Sequence, residues 1–288
     1  MPELPEVETM RRMVERKLVG LTLETVDLRL PKLTRDSPLP DLRLLSGQRV
    51  VAARRRAKVL VIDWSERLST MTHFKLAGQL AIVRPTGERI VAGHPVPDPV
   101  GPLPHKATHL IWHFSGGTVA YYSDVRQFGW WRLLPTAAVD AALAAFAFGP
   151  EGVGPAAIAA ADLGARLAKR RIAIKPALLD QKVVAGLGNI YVDEALHRSR
   201  LHPLRPANSL SADELTRLHE AIGWSLGRGI EQGGAKIIHG RAYPVDGFPL
   251  VHGRQHEPCL TCRSTIIKTR VGARGTYLCP VCQPAPPA

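Results

Sequence analysis

The sequence predicts an α+β multidomain chain with a leading helix, a strand-rich N-terminal domain, a helical domain and a small cysteine-bearing tail. Three observations point there. Between about residues 20 and 134 lie short segments rich in branched and aromatic residues, such as KVLVIDW (58–64) and THLIWHF (108–114), the composition expected of strands. Near 135 the chain shifts to alanine- and glycine-rich stretches and then to a long amphipathic run. All four cysteines fall in the last thirty residues. At 288 residues and 45% apolar, the chain is long enough for two domains with real cores.

The leading element is a helix opened by MPELPEVE. Pro5 suits the first helical turn, and Glu6 and Glu8 complement the positive end of the helix dipole. Val7, Met10, Val14 and Leu18 recur at steps of three and four and share a face. Pro2 and Glu3 have no part in that account. Among the strands, Leu110, Trp112 and Phe114 alternate onto one face, and TVAYYSDV follows a Gly116–Gly117 turn. GERIVAGHPVPDPVGPLPHK (87–106) is dense in Gly and Pro and reads as a long loop. AAVDAALAAF and GPEGVGPAAIAAADLG suit a linker running into helices. The clearest helix is SADELTRLHEAIGWSLGRGIEQ: Ser211 and Glu214 form a capping-box pair, Leu215, Leu218, Ile222 and Leu226 make the stripe, and Gly233–Gly234 stop it. These shifts divide the chain into residues 1–134, a linker over 135–155, a helical domain over 156–248 and a tail over 249–288.

Charge speaks to partners. The 38 Lys and Arg against 25 Asp and Glu give a formal +13, an excess that suits a polyanion. A membrane surface is the other candidate, but the most apolar stretch, AAVDAALAAFAFGP, carries Asp140 and ends at Gly149–Pro150, too short to span. The acidic N-terminus has no apolar core behind it and does not read as a signal peptide. A soluble, cytoplasmic protein is expected.

The tail CLTCRSTIIKTRVGARGTYLCPVC sets Cys259 and Cys262, then Cys279 and Cys282, as two C-x-x-C pairs. Such a pair brings two thiolates to one metal, and two pairs complete a closed tetrahedral zinc site with no position open for chemistry. A redox dithiol needs only one. Between the pairs lies a β-hairpin pattern studded with Lys268, Arg270 and Arg274; the last is placed to meet DNA. ARRRAKVL packs Arg54, Arg55, Arg56 and Lys58, with Lys58 entering an apolar strand as a phosphate-contact candidate. In KVVAGLGNIYVDEAL, Gly186, Gly188 and Asn189 form a tight bend opening into a helix, a place where backbone amides bind phosphate. SDVRQFGWW offers Arg126 and Phe128, a cation and an aromatic that would share a face on a strand.

Pro2 and Glu3 have a chemical reading. Removal of the initiator methionine leaves Pro2 with a secondary amine, and α-amino groups titrate at about 7.7–8.0, so a useful fraction is neutral near pH 7. Attack of that amine on a sugar carbon yields an iminium, a covalent electron sink. The adjacent Glu3 is suited to pass protons.

These motifs, in this order and over essentially the whole chain, resemble the formamidopyrimidine-DNA glycosylase family, which includes an endonuclease VIII branch. PELPEVE resembles its catalytic N-terminus, which implies Pro2 as nucleophile, Glu3 as acid/base and Glu6 as a supporting carboxylate. RRAKVL implies Lys58 as a phosphate contact that assists the chemistry. HFKLAGQL resembles the loop that inserts a side chain into the vacated stack, here Leu76 where methionine is common. RQFG implies Arg126 facing the orphaned base and Phe128 wedging between bases. AGLGNIY implies the phosphate-binding bend of a helix-two-turn-helix element, with Gly188 and Asn189 on DNA. VHGRQHEPC and the cysteines after it imply a zinc finger with Arg274 facing DNA. Leu4 looks like the formamidopyrimidine branch, since the other branch typically has glycine there. GGAKIIHGRAYPVDGF departs from the Gly-Gly-Thr-Thr or Gly-Gly-Thr-Ser start of the loop that many relatives close over 8-oxoguanine.

The resemblance implies an N-terminal β-sandwich with a leading helix and a C-terminal helix-two-turn-helix domain with a four-cysteine zinc finger holding one structural Zn(2+). It implies damaged double-stranded DNA as partner, bound between the domains by a monomer in the cytoplasm at the nucleoid. The expected activity is a bifunctional DNA glycosylase/AP lyase of base excision repair acting on oxidised purines. The rivals are an oxidised-pyrimidine glycosylase and a non-catalytic damaged-DNA-binding protein, which would have lost Pro2 or Glu3.

Overall fold

The computed structural model describes residues 2–93, 101–238 and 240–286. The chain forms two compact units, residues 1–146 and 147–288. Among the described residues no helix is long and apolar enough to cross a membrane.

The first unit begins with α1 (Leu4–Lys17), whose face of Val7, Met10, Val14 and the capping Leu18 is fully buried. Nine strands follow: β1 (Leu23–Leu28), β2 (Val50–Arg56), β3 (Val59–Trp64), β4 (Leu68–His73), β5 (Gly78–Val83), β6 (Arg89–Gly93), β7 (Thr108–Phe114), β8 (Thr118–Asp124) and β9 (Trp130–Pro135). They make two antiparallel sheets, β1-β7-β8-β5-β6 and β2-β3-β4-β9. The Gly- and Pro-rich stretch 87–106 contributes β6 at its start, and its residues 94–100 lie outside those described.

The alternation in β7 sends Leu110, Trp112 and Phe114 into a core shared with the other sheet. Trp112 meets Trp64 of β3 edge-on at 5.4 Å and Trp131 of β9 at 4.9 Å, and Tyr122 of β8 meets Trp131 at 5.6 Å. Each such pair contributes about 0.5–1.5 kcal/mol beyond burial. Helix α1 packs on β2, β3 and β6. Its Glu8 carboxylate lies 3.2 Å from Arg55 of β2, and the Arg11 guanidinium donates to the Ala53 carbonyl at 3.4 Å. Burial would raise the Glu8 carboxyl, but hydrogen bonds and charge from Arg11, Arg55 and Arg12 outweigh it and hold the group below its usual range.

The short helix α2 (Val139–Ala144) closes the first unit. The second contains α3 (Ala160–Ala168), α4 (Ile174–Leu179), α5 (Asn189–Arg198) and α6 (Ala212–Glu231). The capping box of α6 forms as its sequence predicts: Glu214 N–H donates to the Ser211 hydroxyl and Ser211 N–H to the Glu214 carboxylate. Gly229 lets α6 close on α5, since a Cβ there would fall 2.4 Å from the Tyr191 ring. After α6 come two hairpins, β10 (Ile237–Ile238) with β11 (Arg241–Ala242), and β12 (Ile267–Val271) with β13 (Arg274–Leu278).

Candidate functional site

In the first unit the chain start is built as a helix cap. Glu3 is the N-cap of α1 in a reciprocal capping box with Glu6, whose carboxylate accepts the Glu3 N–H at 2.9 Å. Glu3 is 1% exposed and Glu6 8%, and Pro2 is buried beside them. Retention or loss of Met1 concerns a residue outside those described. The contacts from Arg11 to Ala53 and from Glu8 to Arg55 run antiparallel along β2. That progression carries the start of α1 toward the Ala57–Lys58 turn.

Lys58 is not in a strand. It occupies the two-residue turn between β2 and β3, with Arg56 paired to Val59 and Ala57 at φ +52°. The apolar run after it is what pairs in the sheet, and the turn is where the hairpin register leaves Lys58. The side chain is buried all the same, at 7% exposure. The neighbouring arginines are engaged within the protein: Arg54 pairs with Asp63 at 2.8 Å and Arg55 with Glu8. The basic run is thus largely a set of structural ion pairs.

His73, across the β3–β4 ladder from Val59, is a residue that sequence reasoning missed. Its Nδ1 accepts the Lys75 N–H at 2.9 Å, so a neutral ring carries its proton on Nε2. Burial, then the charges of Lys75 and Lys58, push its pKa down to about 3. The ring is therefore neutral at pH 7 beside two lysines. The unfolded chain takes up a proton near pH 6.5 that the folded ring refuses until about 3. Stability from this group is full above pH 6.5 and declines as pH falls through that window. In urea unfolding, His73→Gln is expected to show a shallower loss of stability between pH 6.5 and 4 than the wild type.

The two insertion segments lie side by side. Leu76 is in the loop after β4, where Lys75 has φ +51° and Gly78 N–H bonds the Phe74 carbonyl at 3.0 Å. Arg126 and Phe128 sit in the loop after β8, and Gly78 pairs with Asp124 across the β5–β8 ladder. Arg126 and Phe128 do not lie on a strand. Strand β8 ends at Asp124, whose carboxylate accepts the amides of Arg126, Phe128 and Gly129 at 3.0, 3.0 and 2.9 Å. Those amides are turned to a side chain and are lost to a ladder. The two side chains still associate, the Arg126 guanidinium lying 5.1 Å from the Phe128 ring centre. Phe128 is 53% exposed.

In the second unit, Gly188 is the N-cap of α5 and Gly186 has φ +94°, the bend and helix start expected. Gln181 clasps it, donating to the Leu187 carbonyl at 2.8 Å and accepting the Gly186 N–H at 2.9 Å. The Asn189 side-chain amide donates to the Gly275 carbonyl at 3.0 Å. So does the Lys175 ammonium, which also reaches Asp193 at 2.7 Å and Thr276 at 2.8 Å. Asn189 is thereby tied to the β12–β13 hairpin one residue from Arg274, which is exposed. Asp193 accepts from His252 and Tyr277, while Glu194 accepts the amides of Leu250, Val251 and His252. Burial raises the Glu194 carboxyl above its usual range against those three amides.

The four cysteines converge. Their sulfurs lie within 4.8 Å of one another, with Cys259–Cys282 at 3.9 Å and Cys262–Cys279 at 3.3 Å. Disulfides would need about 2.05 Å. Four thiolates about 2.3 Å from one tetrahedral zinc would lie about 3.8 Å apart, so the donor set and spacing fit that ion.

Comparison with known proteins agrees across the chain. The family profile described as "Formamidopyrimidine-DNA glycosylase N-terminal domain" matches residues 1–131, "Formamidopyrimidine-DNA glycosylase H2TH domain" matches 148–239, and "Zinc finger found in FPG and IleRS" matches 257–285. The chain is 38% identical to a formamidopyrimidine-DNA glycosylase of Pelotomaculum thermopropionicum, over 98% of this chain and 99% of the relative. It is 38% identical to one from Latilactobacillus sakei over 98% of each. Among solved structures, Lactococcus lactis Fpg bound to DNA with an abasic site superposes with a TM-score of 0.85 at 31% identity, covering 99% of this chain and 100% of that one. MutM in complex with DNA containing carbocyclic 8-oxo-G gives a TM-score of 0.85 at 32% identity with the same coverage.

Proposed function

Since this chain belongs to the formamidopyrimidine-DNA glycosylase family, we propose that it is a base-excision-repair glycosylase/AP lyase that removes oxidised purines from double-stranded DNA. The observation that carries this reading is the chain start: a proline followed by a buried carboxylate that caps α1 in concert with Glu6. In solved relatives the partner is DNA with an abasic site, Fapy-dG or carbocyclic 8-oxo-G.

The chemistry follows from those groups. The target nucleotide leaves the stack, at a cost of a few kcal/mol. The Pro2 nitrogen, freed by loss of Met1, attacks C1′ as the C1′–N bond to the base breaks, and the proton given up by that nitrogen leaves with the base. Glu3 delivers a proton to the sugar oxygen, the ring opens, and an iminium links Pro2 to C1′. Loss of a proton from C2′ expels the 3′ phosphate, a second elimination expels the 5′ phosphate, and water releases the sugar fragment. Glu6 holds the Glu3 backbone in place. Lys58 supplies positive charge, and neutral His73 an N–H donor, toward the phosphate beside the lesion. Leu76, Arg126 and Phe128 fill the gap left by the flipped nucleotide. In the second unit, Gly188, Asn189 and Arg274 contact the backbone.

One structural Zn(2+) held by Cys259, Cys262, Cys279 and Cys282 fixes the β12–β13 hairpin. When bound it supplies folding energy and no reaction step, because four thiolates fill its coordination.

Borohydride trapping tests the reading. Duplexes with 8-oxoguanine or formamidopyrimidine are expected to yield a covalent protein–DNA adduct, and a thymine glycol duplex none. An adduct on thymine glycol alone would assign the chain to oxidised pyrimidines. Intact DNA binding without any adduct would remove the enzyme reading.

A further inference from the structure

Beneath the Arg126–Phe128 loop lies a group that has no role in the chemistry above. Asp124 is fully buried. One carboxylate oxygen accepts the Arg126 N–H at 3.0 Å. The other accepts Phe128 N–H at 3.0 Å, Gly129 N–H at 2.9 Å and the Tyr122 hydroxyl at 3.3 Å. Its own carbonyl meets Gln127 N–H at 3.2 Å and the His109 ring at 2.9 Å. Every amide from 126 to 129 is therefore turned inward onto one residue.

The loop that results is tightly determined yet exposed. Gln127 is driven to φ +53°, a region that L-residues other than Asn, Asp and Gly rarely enter. At Gly129 a Cβ would fall 1.8 Å from the Tyr122 hydroxyl, so only glycine lets the chain pass over that ring. Turning the amides inward sends the Arg126 and Phe128 side chains outward, where the cation lies against the aromatic face. A short surface turn gains little from such a rigid base unless the direction of its side chains matters.

We propose that Asp124, with Tyr122, is the positioning residue that holds Arg126 and Phe128 ready for the orphaned base, so that it sets how strongly excision depends on the base opposite the lesion. The inference rests on the glycosylase reading above. Asp124 touches neither the reacting sugar nor the leaving base in that reading; it acts through the loop. A carboxylate is required because four donors converge on it. An asparagine would turn an NH2 toward one group of donors, N–H facing N–H, and force the loop to rearrange.

The test uses full-length, zinc-loaded protein and 8-oxoguanine duplexes carrying each of the four bases opposite the lesion. In single-turnover excision, Asp124→Asn is expected to narrow the spread between the fastest and slowest opposite bases by about tenfold. In an Arg126→Ala/Phe128→Ala background the same change should alter the spread by less than about twofold, because its target is gone. A ratio between duplexes cancels any general loss of active protein. An unchanged spread in folded Asp124→Asn, or an equal effect in the double-variant background, would overturn the proposal. If Asp124→Asn does not fold, the near-isosteric Tyr122→Phe takes its place, with a smaller narrowing expected and none contradicting. Fluorescence of 2-aminopurine opposite a tetrahydrofuran abasic analogue reads the wedge without chemistry. It should fall by about half in either variant, and its failure to change counts against Asp124 even if excision itself fails.

Discussion

Glu3→Gln is expected to lower base excision by about 10²–10⁴-fold, the usual range for a lost general acid/base, with little change in stability. The two effects separate because the proposed function adds a second task to the capping role of Glu3. As N-cap of α1 its side-chain oxygen accepts an amide in the first helical turn, and the glutamine oxygen can still do so. The proton it would deliver to the sugar is lost. Glu3→Ala removes both, and should add about 1 kcal/mol of destabilisation from the missing cap. Single-turnover excision and urea midpoints on the two variants read the tasks independently. A Glu3→Gln rate within tenfold of wild type would take Glu3 out of the chemistry and leave it a cap.

Metal removal is expected to abolish DNA binding by the second unit and to destabilise that unit well beyond the hairpin. Among the described residues the buried cluster around the cysteines is Val251, Cys259, Ile266, Tyr277 and Cys279, with Cys262 and Cys282 packed against it, too small a core to order without a staple. Once β12 and β13 loosen, Arg274 is no longer presented. The Gly275 carbonyl and Thr276 hydroxyl also leave Lys175, a fully buried ammonium paired with Asp193. Losing a hydrogen bond to a buried charge costs about 1.5–3 kcal/mol. The account therefore predicts that chelation, or Cys279→Ser, lowers the melting temperature of the α4–α5 region together with the tail and raises Kd for duplex DNA steeply. Lys175→Met should by itself destabilise the α4–α5 region, since it leaves the Asp193 carboxylate buried without its cation. Unaltered melting after complete zinc release would show that the hairpin stands without the metal.

What the sequence made legible was local. The C-x-x-C pairs, the Ser211–Glu214 capping box and the period-two pattern of β7 depend on residues a few positions apart, and each appears where its spacing predicts. The strand expected at Lys58 is a turn, because composition does not reveal where a hairpin turns, nor which amides a side chain such as Asp124 will capture. Nothing in ARRRAKVL shows that the fold brings Asp63 and Glu8 to Arg54 and Arg55. Asp124, His73 and Lys175 gave no signal at all. The Asp124 carboxylate and the His73 ring meet backbone amides within five residues, which composition does not reveal, while Lys175 meets Gly275 a hundred residues away. The role proposed for Pro2 has a different origin: a helix start explains Pro5, Glu6 and Glu8 and leaves Pro2 unexplained.

The central claim is that the chain's own N-terminal amine forms the covalent intermediate. The direct measurement is peptide mapping, by mass spectrometry, of the adduct trapped by borohydride on an 8-oxoguanine duplex. The account predicts the sugar fragment on the peptide that begins with Pro2, attached at its nitrogen, with Met1 absent. An adduct on Lys58 or any other lysine, or on a peptide that retains Met1, would contradict it.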